Sequence, residues 1–184
     1  MNVKSSDYKR YILTGTPGCG KTSVINALEM KGHFVIGEAA TDVVTYEQMQ
    51  GNTAPWLQSN FIDKIINLQK QRQLQGDLAS PTLQFYDRSP LCTYALAVYL
   101  GFEPSVSLLE EIERMEKNEI YENRVFFIEN LGFCKPTAAR KISFEESLRF
   151  EKIHAETYEK FGYECTRIHL APVLERMNLI LRFV

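Results

Sequence analysis

Residues 15–22 read GTPGCGKT and fit the phosphate-binding pattern Gly-x4-Gly-Lys-Ser/Thr. Gly15 and Gly20 allow backbone conformations in which successive N–H groups face an anion. Lys21 supplies a positive charge for the β- and γ-phosphates, and the Thr22 hydroxyl can ligate Mg²⁺. The predicted ATP-binding residues are Gly15, Thr16, Pro17, Gly18, Cys19, Gly20, Lys21, Thr22 and Ser23.

Three acidic side chains are predicted at carboxyl ends of strands, where parallel sheets bind ligands. Asp87 is the candidate for the Mg²⁺ site or the catalytic base, with helix capping as the alternative. Glu38 can reach an acceptor hydroxyl or simply favour a helix N-terminus. Glu129 is an alternative metal-site acid. Arg88, directly after Asp87, either clamps a phosphate or substrate oxygen or forms a structural ion pair.

Two patterns that the sequence lacks narrow the range of reactions that a phosphate-binding loop could serve. The position after Asp87, where mechanical ATPases usually carry a second acid, is Arg88. The chain has no Asn-Lys-x-Asp motif of guanine-specific switch proteins, and it is short for a remodelling ATPase. These observations favour phosphoryl transfer to a small acceptor.

The basic stretch from Lys135 to Lys141 suits a lid, at about 130–142, that closes over the nucleotide, and a solvated surface loop is the alternative. Arg140 is its best candidate catalytic residue, because a guanidinium binds phosphate in a fork.

The alternation of short apolar runs and longer helical stretches predicts an α/β fold with a parallel sheet. The predicted strands are 9–14, 33–37, 82–87, 124–128 and 164–169. The predicted helices are 21–30, 39–50, 56–75, 90–100, 104–118, 143–161 and 172–182. No repeat or linker interrupts the chain, so 1–184 is expected to be a single domain.

Composition limits the environment and the partners. The 184 residues are 45% hydrophobic and carry a net charge of −2, which makes nucleic acid an unexpected partner. No 18-residue apolar run or signal-peptide core is present, so no membrane association is expected. Four scattered cysteines without CxxC spacing indicate reduced thiols and a cytoplasmic location.

The order of motifs resembles a group of small bacterial P-loop proteins of an "AAA domain" type, which are similar to nicotinamide riboside kinases and deoxynucleoside kinases. The motifs are GTPGCGKT, GxxxxGE at 32–38, FYDRS, the basic stretch, FGYE and APVLERM. The resemblance implies a three-layer P-loop fold with a five-stranded parallel sheet of order 2-3-1-4-5 and helices on both faces. It also implies Glu38, Asp87 and Arg88 in the acceptor site and Arg140 in the lid. This group often has Asp where this chain has Cys92.

The expected function is an ATP- and Mg²⁺-dependent kinase of a small, nucleoside-like acceptor. Lys21 would bind phosphate, Thr22 and Asp87 would hold Mg²⁺, and Asp87 or Glu38 would take the acceptor proton. Two alternatives stay open: a slow NTPase switch that controls a partner protein, and a kinase that acts on modified DNA. No feature of the sequence specifies an oligomeric state.

Overall fold

The computed structural model describes residues 8–15, 17–79, 82–130 and 143–184. The strands are β1 (Lys9–Gly15), β2 (Phe34–Ile36), β3 (Leu83–Asp87), β4 (Arg124–Ile128) and β5 (Glu164–Ile168). The helices are α1 (Lys21–Met30), α2 (Ala39–Met49), α3 (Phe61–Ala79), α4 (Pro90–Leu100), α5 (Val106–Lys117), α6 (Phe144–Lys160) and α7 (Val173–Leu181), with a short 3₁₀ helix at Pro55–Leu57.

The five strands form one parallel sheet in the order β2-β3-β1-β4-β5, which confirms the predicted fold. Leu13 of β1 lies beside Asp87 of β3, and Gly15 lies beside Ile128 of β4. The carboxyl ends of these three strands therefore meet at the same edge of the sheet, next to the phosphate-binding loop.

Side-chain alternation along the strands produces two apolar layers. Tyr11 and Leu13 belong to a core that includes residues of α1 and α7. Ile12 belongs to the opposite core, to which α2, α3, α4, α5 and α6 contribute. Because successive strand residues point to opposite faces, this alternation gives the three-layer arrangement of helices, sheet and helices.

The prediction of one helix over 56–75 is wrong, because this stretch contains two elements. Pro55 begins the short 3₁₀ helix, and Gln58 after it is extended, with φ −90° and ψ 138°. A new helix then starts at Phe61, where the Asn60 carbonyl accepts from the Lys64 N–H at 3.1 Å. An extended residue ends the first set of helical hydrogen bonds, so α3 starts anew and runs on to Ala79.

Gly76 lets α3 lie directly against the sheet. A Cβ atom at this position would be 2.8 Å from Ile36 Cδ1 and 2.9 Å from the Tyr86 hydroxyl. The Gly76 carbonyl accepts a hydrogen bond from Gln84 Nε2 at 3.0 Å. This close approach positions α3 beside β2 and β3, whose ends carry candidate site residues. Among the helices described, none has the length and apolar character needed to cross a membrane.

Candidate functional site

Three glycines shape the loop between β1 and α1. Gly15, Gly18 and Gly20 have φ values of 146°, 89° and 77°, which side chains disfavour. A Cβ atom on Gly15 would also lie 2.5 Å from the Ile128 carbonyl oxygen. Gly20 precedes α1, and its carbonyl accepts from the Ser23 N–H at 3.1 Å. The loop therefore leads directly into a helix N-terminus, the end of a helix that attracts anions.

A cavity of about 220 Å³ lies at this edge of the sheet. Its lining residues are Pro17, Gly18, Gly20, Lys21, Thr22, Glu38 and Arg88. The structure thus brings the phosphate-binding loop together with Glu38, which follows β2, and Arg88, which follows β3. These residues come from three separate parts of the sequence.

Lys21 and Asp87 form a buried ion pair, in which the ammonium donates to Asp87 Oδ1. Their side chains are only 5% and 6% exposed. A buried charge needs a partner, and here each residue neutralises the other. A phosphate that binds Lys21 therefore competes with Asp87 for the ammonium group.

Glu38 and Arg88 form a second ion pair, in which Arg88 Nε donates to Glu38 Oε1. The Thr41 hydroxyl donates to Glu38 Oε2 at 2.9 Å. Burial alone would raise the pKa of Glu38, but the charges of Arg88 and Lys21 and these hydrogen bonds lower it to about 2. Burial opposes the charged form of Arg88, yet Glu38 raises the pKa of this guanidinium above its ordinary value. Glu38 is therefore an ionised hydrogen-bond acceptor and a weak base.

Arg88 has an unusual backbone for a residue with a side chain. Its φ of 76° lies in the left-handed region, and its N–H donates to the Leu13 carbonyl at 3.0 Å. Such a conformation costs free energy and often occurs at functional sites. Here it turns the chain away from β3 immediately after Asp87, so that the Arg88 side chain lines the cavity next to Glu38.

The cysteine of the phosphate-binding loop points into the core. Cys19 is only 1% exposed, and burial raises the pKa of its thiol. Its carbonyl accepts from Arg176 Nη1 of α7 at 3.0 Å. Arg176 is itself buried, and its Nε atom has no hydrogen-bond partner among the described residues. Arg176 therefore supports the loop from behind; it lies in the APVLERM motif, for which no role is predicted from the sequence.

Two residues of α6 also contact this region and were missed in the sequence. His154 Nε2 lies 3.3 Å from Arg88 Nη1, and its ring is fully buried. The Tyr158 hydroxyl lies 2.8 Å from Ser89 Oγ and 3.1 Å from Cys92 Sγ. Both side chains face inward one helical turn apart, but no motif in the sequence distinguishes them from ordinary core positions.

The other predicted site residues have different surroundings. Glu129 interacts with the β5 side of the sheet, where His169 Nδ1 lies 2.6 Å from Oε2 and Arg167 Nη1 lies 3.7 Å from Oε1. Ser23 is exposed in the first turn of α1 and is not among the cavity-lining residues. Thr16 and Arg140 lie outside the described residues, as does the predicted lid except for Asn130.

The residues near the cavity fit a magnesium ion. Thr22 offers a hydroxyl oxygen at the cavity and Asp87 a carboxylate beside Lys21, and oxygen is the ligand atom that Mg²⁺ prefers. The described residues contain no group of three or more His, Cys, Asp or Glu side chains that could enclose a metal. A Mg²⁺ site usually combines one or two protein ligands with water and substrate phosphates.

Comparison with known proteins identifies both a family and a fold. The model of the AAA domain family AAA_28 matches residues 10–176. A search of curated proteins gives no match.

Solved structures with the same fold include two kinds of nucleotide-binding protein. Deoxyadenosine kinase from M. mycoides, with dCMP and dCDP bound, is 14% identical with a TM-score of 0.60 over 95% of this chain and 97% of that one. NadR in complex with NR is 14% identical with a TM-score of 0.70 over 98% of this chain. NadR is also known with NAD and AMP-PNP, at a TM-score of 0.65. The present chain spans about half the length of the NadR chain, of which 52% is covered.

Proposed function

The chain belongs to the AAA domain family AAA_28, and from this premise and its kinase-like P-loop fold we propose that it is an ATP- and Mg²⁺-dependent phosphotransferase whose acceptor is small and nucleoside-like. The observation that carries the proposal is the shared cavity. A phosphate-binding loop and a Glu38–Arg88 pair line the same space of about 220 Å³. One part fits a phosphate donor, and the other fits a hydroxyl acceptor.

The donor side is formed by the loop and Lys21. The loop N–H groups and the helix N-terminus bind phosphate oxygens, and Lys21 leaves Asp87 to contact them. Asp87 and Thr22 would hold Mg²⁺, which would neutralise charge on the phosphates. The exchange keeps both buried charges partnered throughout, because each loses one partner and gains another.

The acceptor side is formed by Glu38 and Arg88. A carboxylate accepts from a sugar-like hydroxyl, while a guanidinium donates to a neighbouring oxygen or to the transferring phosphoryl group. With a pKa of about 2, Glu38 orients the hydroxyl more effectively than it removes a proton. Phosphoryl transfer has a loose transition state and depends mainly on positioning and charge, so a strong base is not needed. The acceptor oxygen bonds to the γ-phosphorus as the bond to the ADP oxygen breaks, and the hydroxyl proton leaves late through Glu38 to water. We therefore assign Glu38 to orientation of the acceptor.

The proposal is tested with an acceptor panel. The protein is incubated with ATP, Mg²⁺ and a set of nucleosides and ribosides, and acceptor-dependent ADP and phosphorylated product are measured. Lys21→Ala should abolish product formation, because the loop loses its cationic side chain, and circular dichroism checks that the variant is folded. Lys31→Ala is a matched control, since Lys31 is an exposed lysine that follows the same helix.

The other predicted functions give different results in this experiment. ADP release that no acceptor stimulates would favour the NTPase switch. Product formed only with oligonucleotides that carry modified bases would favour the DNA kinase. Either result would refute the small-acceptor proposal, and a complete lack of nucleotide binding would refute all three.

A further inference from the structure

Helix α6 contacts the residues that follow Asp87 through two buried polar side chains, His154 and Tyr158. We propose that His154 is a positioning residue that holds the Arg88 guanidinium in place while Glu38 engages the acceptor. The inference rests on the proposed function for its catalytic consequence. The contact itself is a property of the resting protein and can be tested separately.

The hydrogen bonds of His154 define the role of each ring nitrogen. Nδ1 lies 3.0 Å from the Phe150 carbonyl, which can only accept, so Nδ1 carries a hydrogen. In the neutral ring, Nε2 is then an acceptor. It lies 3.3 Å from Arg88 Nη1, which can only donate. The ring is fully buried, so both of its polar atoms are used inside the protein.

Arg88 is thus held from two sides. Its Nε donates to Glu38, and its Nη1 donates to His154. The left-handed backbone at Arg88, fixed by its N–H bond to Leu13, aims the side chain between these two partners. Two contacts at different nitrogens fix the plane of a guanidinium, whereas one contact lets it rotate about the remaining bond.

We call the two hydrogen bonds that Arg88 donates to Glu38 and His154 the clamp. The clamp matters most when Glu38 changes partners. If Glu38 accepts from the acceptor hydroxyl, its bond to Arg88 weakens. His154 is then the contact that keeps the guanidinium facing the cavity. One turn further along α6, Tyr158 bonds Ser89 and Cys92, which follow Arg88 in the chain. The helix therefore contacts the Arg88 side chain and the Ser89 and Cys92 side chains that follow it.

Paired substitutions at His154 separate positioning from packing. In His154→Gln the amide oxygen can reach the place of Nε2 and accept from Arg88, whereas His154→Leu fills similar space without a polar atom. His154→Leu should lower kcat with the acceptor by about 10- to 100-fold, because small misplacements of a positioned group have effects of this size. His154→Gln should recover most of this loss, and the affinity for MgATP should change less than about twofold in both variants. Thr157→Val is the control, since the Thr157 hydroxyl is buried on the same helix but donates to the Ile153 carbonyl.

Nuclear magnetic resonance tests the clamp without any acceptor. With ¹⁵N-labelled arginine, the Arg88 Nη–H groups should give resolved signals in the wild type because their rotation is hindered, and Arg88→Lys identifies these signals. They should persist in His154→Gln and disappear in His154→Leu. Loss in both variants, or in neither, would overturn the inference, as would equal kcat in the two variants. If the signals behave as expected but no acceptor is phosphorylated, the clamp stands and the proposed function fails.

Discussion

Replacement of Asp87 by Asn should have opposite effects on ATP binding with and without Mg²⁺. In the resting protein Lys21 is bound to Asp87, and both side chains are at least 94% buried. ATP without metal must break this pair to reach Lys21. Asp87→Asn removes the competing carboxylate, so metal-free ATP should bind more tightly. With Mg²⁺ the same substitution removes a carboxylate from the metal site, so MgATP should bind more weakly.

The size of the effect follows from the contact that is lost. A hydrogen bond to a charged group contributes about 1.5–3 kcal/mol, which corresponds to about 10- to 100-fold in affinity. The affinity of Asp87→Asn for metal-free ATP should rise by up to this factor. The free variant should also be less stable, by about 3–5 kcal/mol, because one partner of a buried ion pair is left alone.

Isothermal titration calorimetry with ATP in EDTA and with ATP in excess Mg²⁺ measures both affinities, and thermal unfolding measures the stability. Asp63→Asn is the matched control, because Asp63 is a half-buried acid of α3 that accepts from the Ser105 hydroxyl. If Asp87→Asn weakens binding by the same factor in both conditions, Asp87 does not compete with the nucleotide for Lys21, and the partner exchange is refuted.

Two further predictions concern Glu38 and Arg176. The pKa of Glu38 is about 2 in the folded protein, below its ordinary 4.5, so its ion pair should stabilise the fold fully above about pH 4.5 and less as the pH falls towards 2. Glu38→Gln should remove up to about 3 kcal/mol of this acid-sensitive stability. The free energy of unfolding is measured in urea at several pH values. If it falls as steeply with decreasing pH in the variant as in the wild type, the assignment is contradicted. Arg176→Met should weaken ATP binding by about fivefold, because the loop loses its hydrogen bond to the Cys19 carbonyl, worth about 1 kcal/mol. Arg182→Met, at an exposed position that follows the same helix, should leave the affinity unchanged in the same titration.

The amino-acid sequence by itself determined most elements of the fold and located the phosphate-binding loop. The octet at 15–22 predicts a loop shaped by glycines, because the glycines and the residues that contact phosphate are neighbours in the sequence. The apolar runs and helical stretches predicted all five strands and most helices, since both patterns are local. The one wrong helix, over 56–75, failed at Gln58, where nothing in the local pattern marks an extended residue. The sheet order came from the resemblance rather than from periodicity, and the structure confirms it.

The tertiary structure alone decided which charged groups neutralise each other and which residues support them. Lys21 meets Asp87 across 66 positions, Arg88 meets Glu38 across 50, and His154 meets Arg88 across 66. The sequence suggested that Glu38 or Asp87 could be a base, but their ion pairs form only when β2, β3 and the loop meet at one edge of the sheet. His154 looks like an ordinary helix residue in the sequence, and Arg176 lies in the APVLERM motif without a predicted role. Their roles depend on how α6 and α7 pack, and the energy of a buried polar contact depends on its distant partner and on the exclusion of water, which a local pattern does not encode.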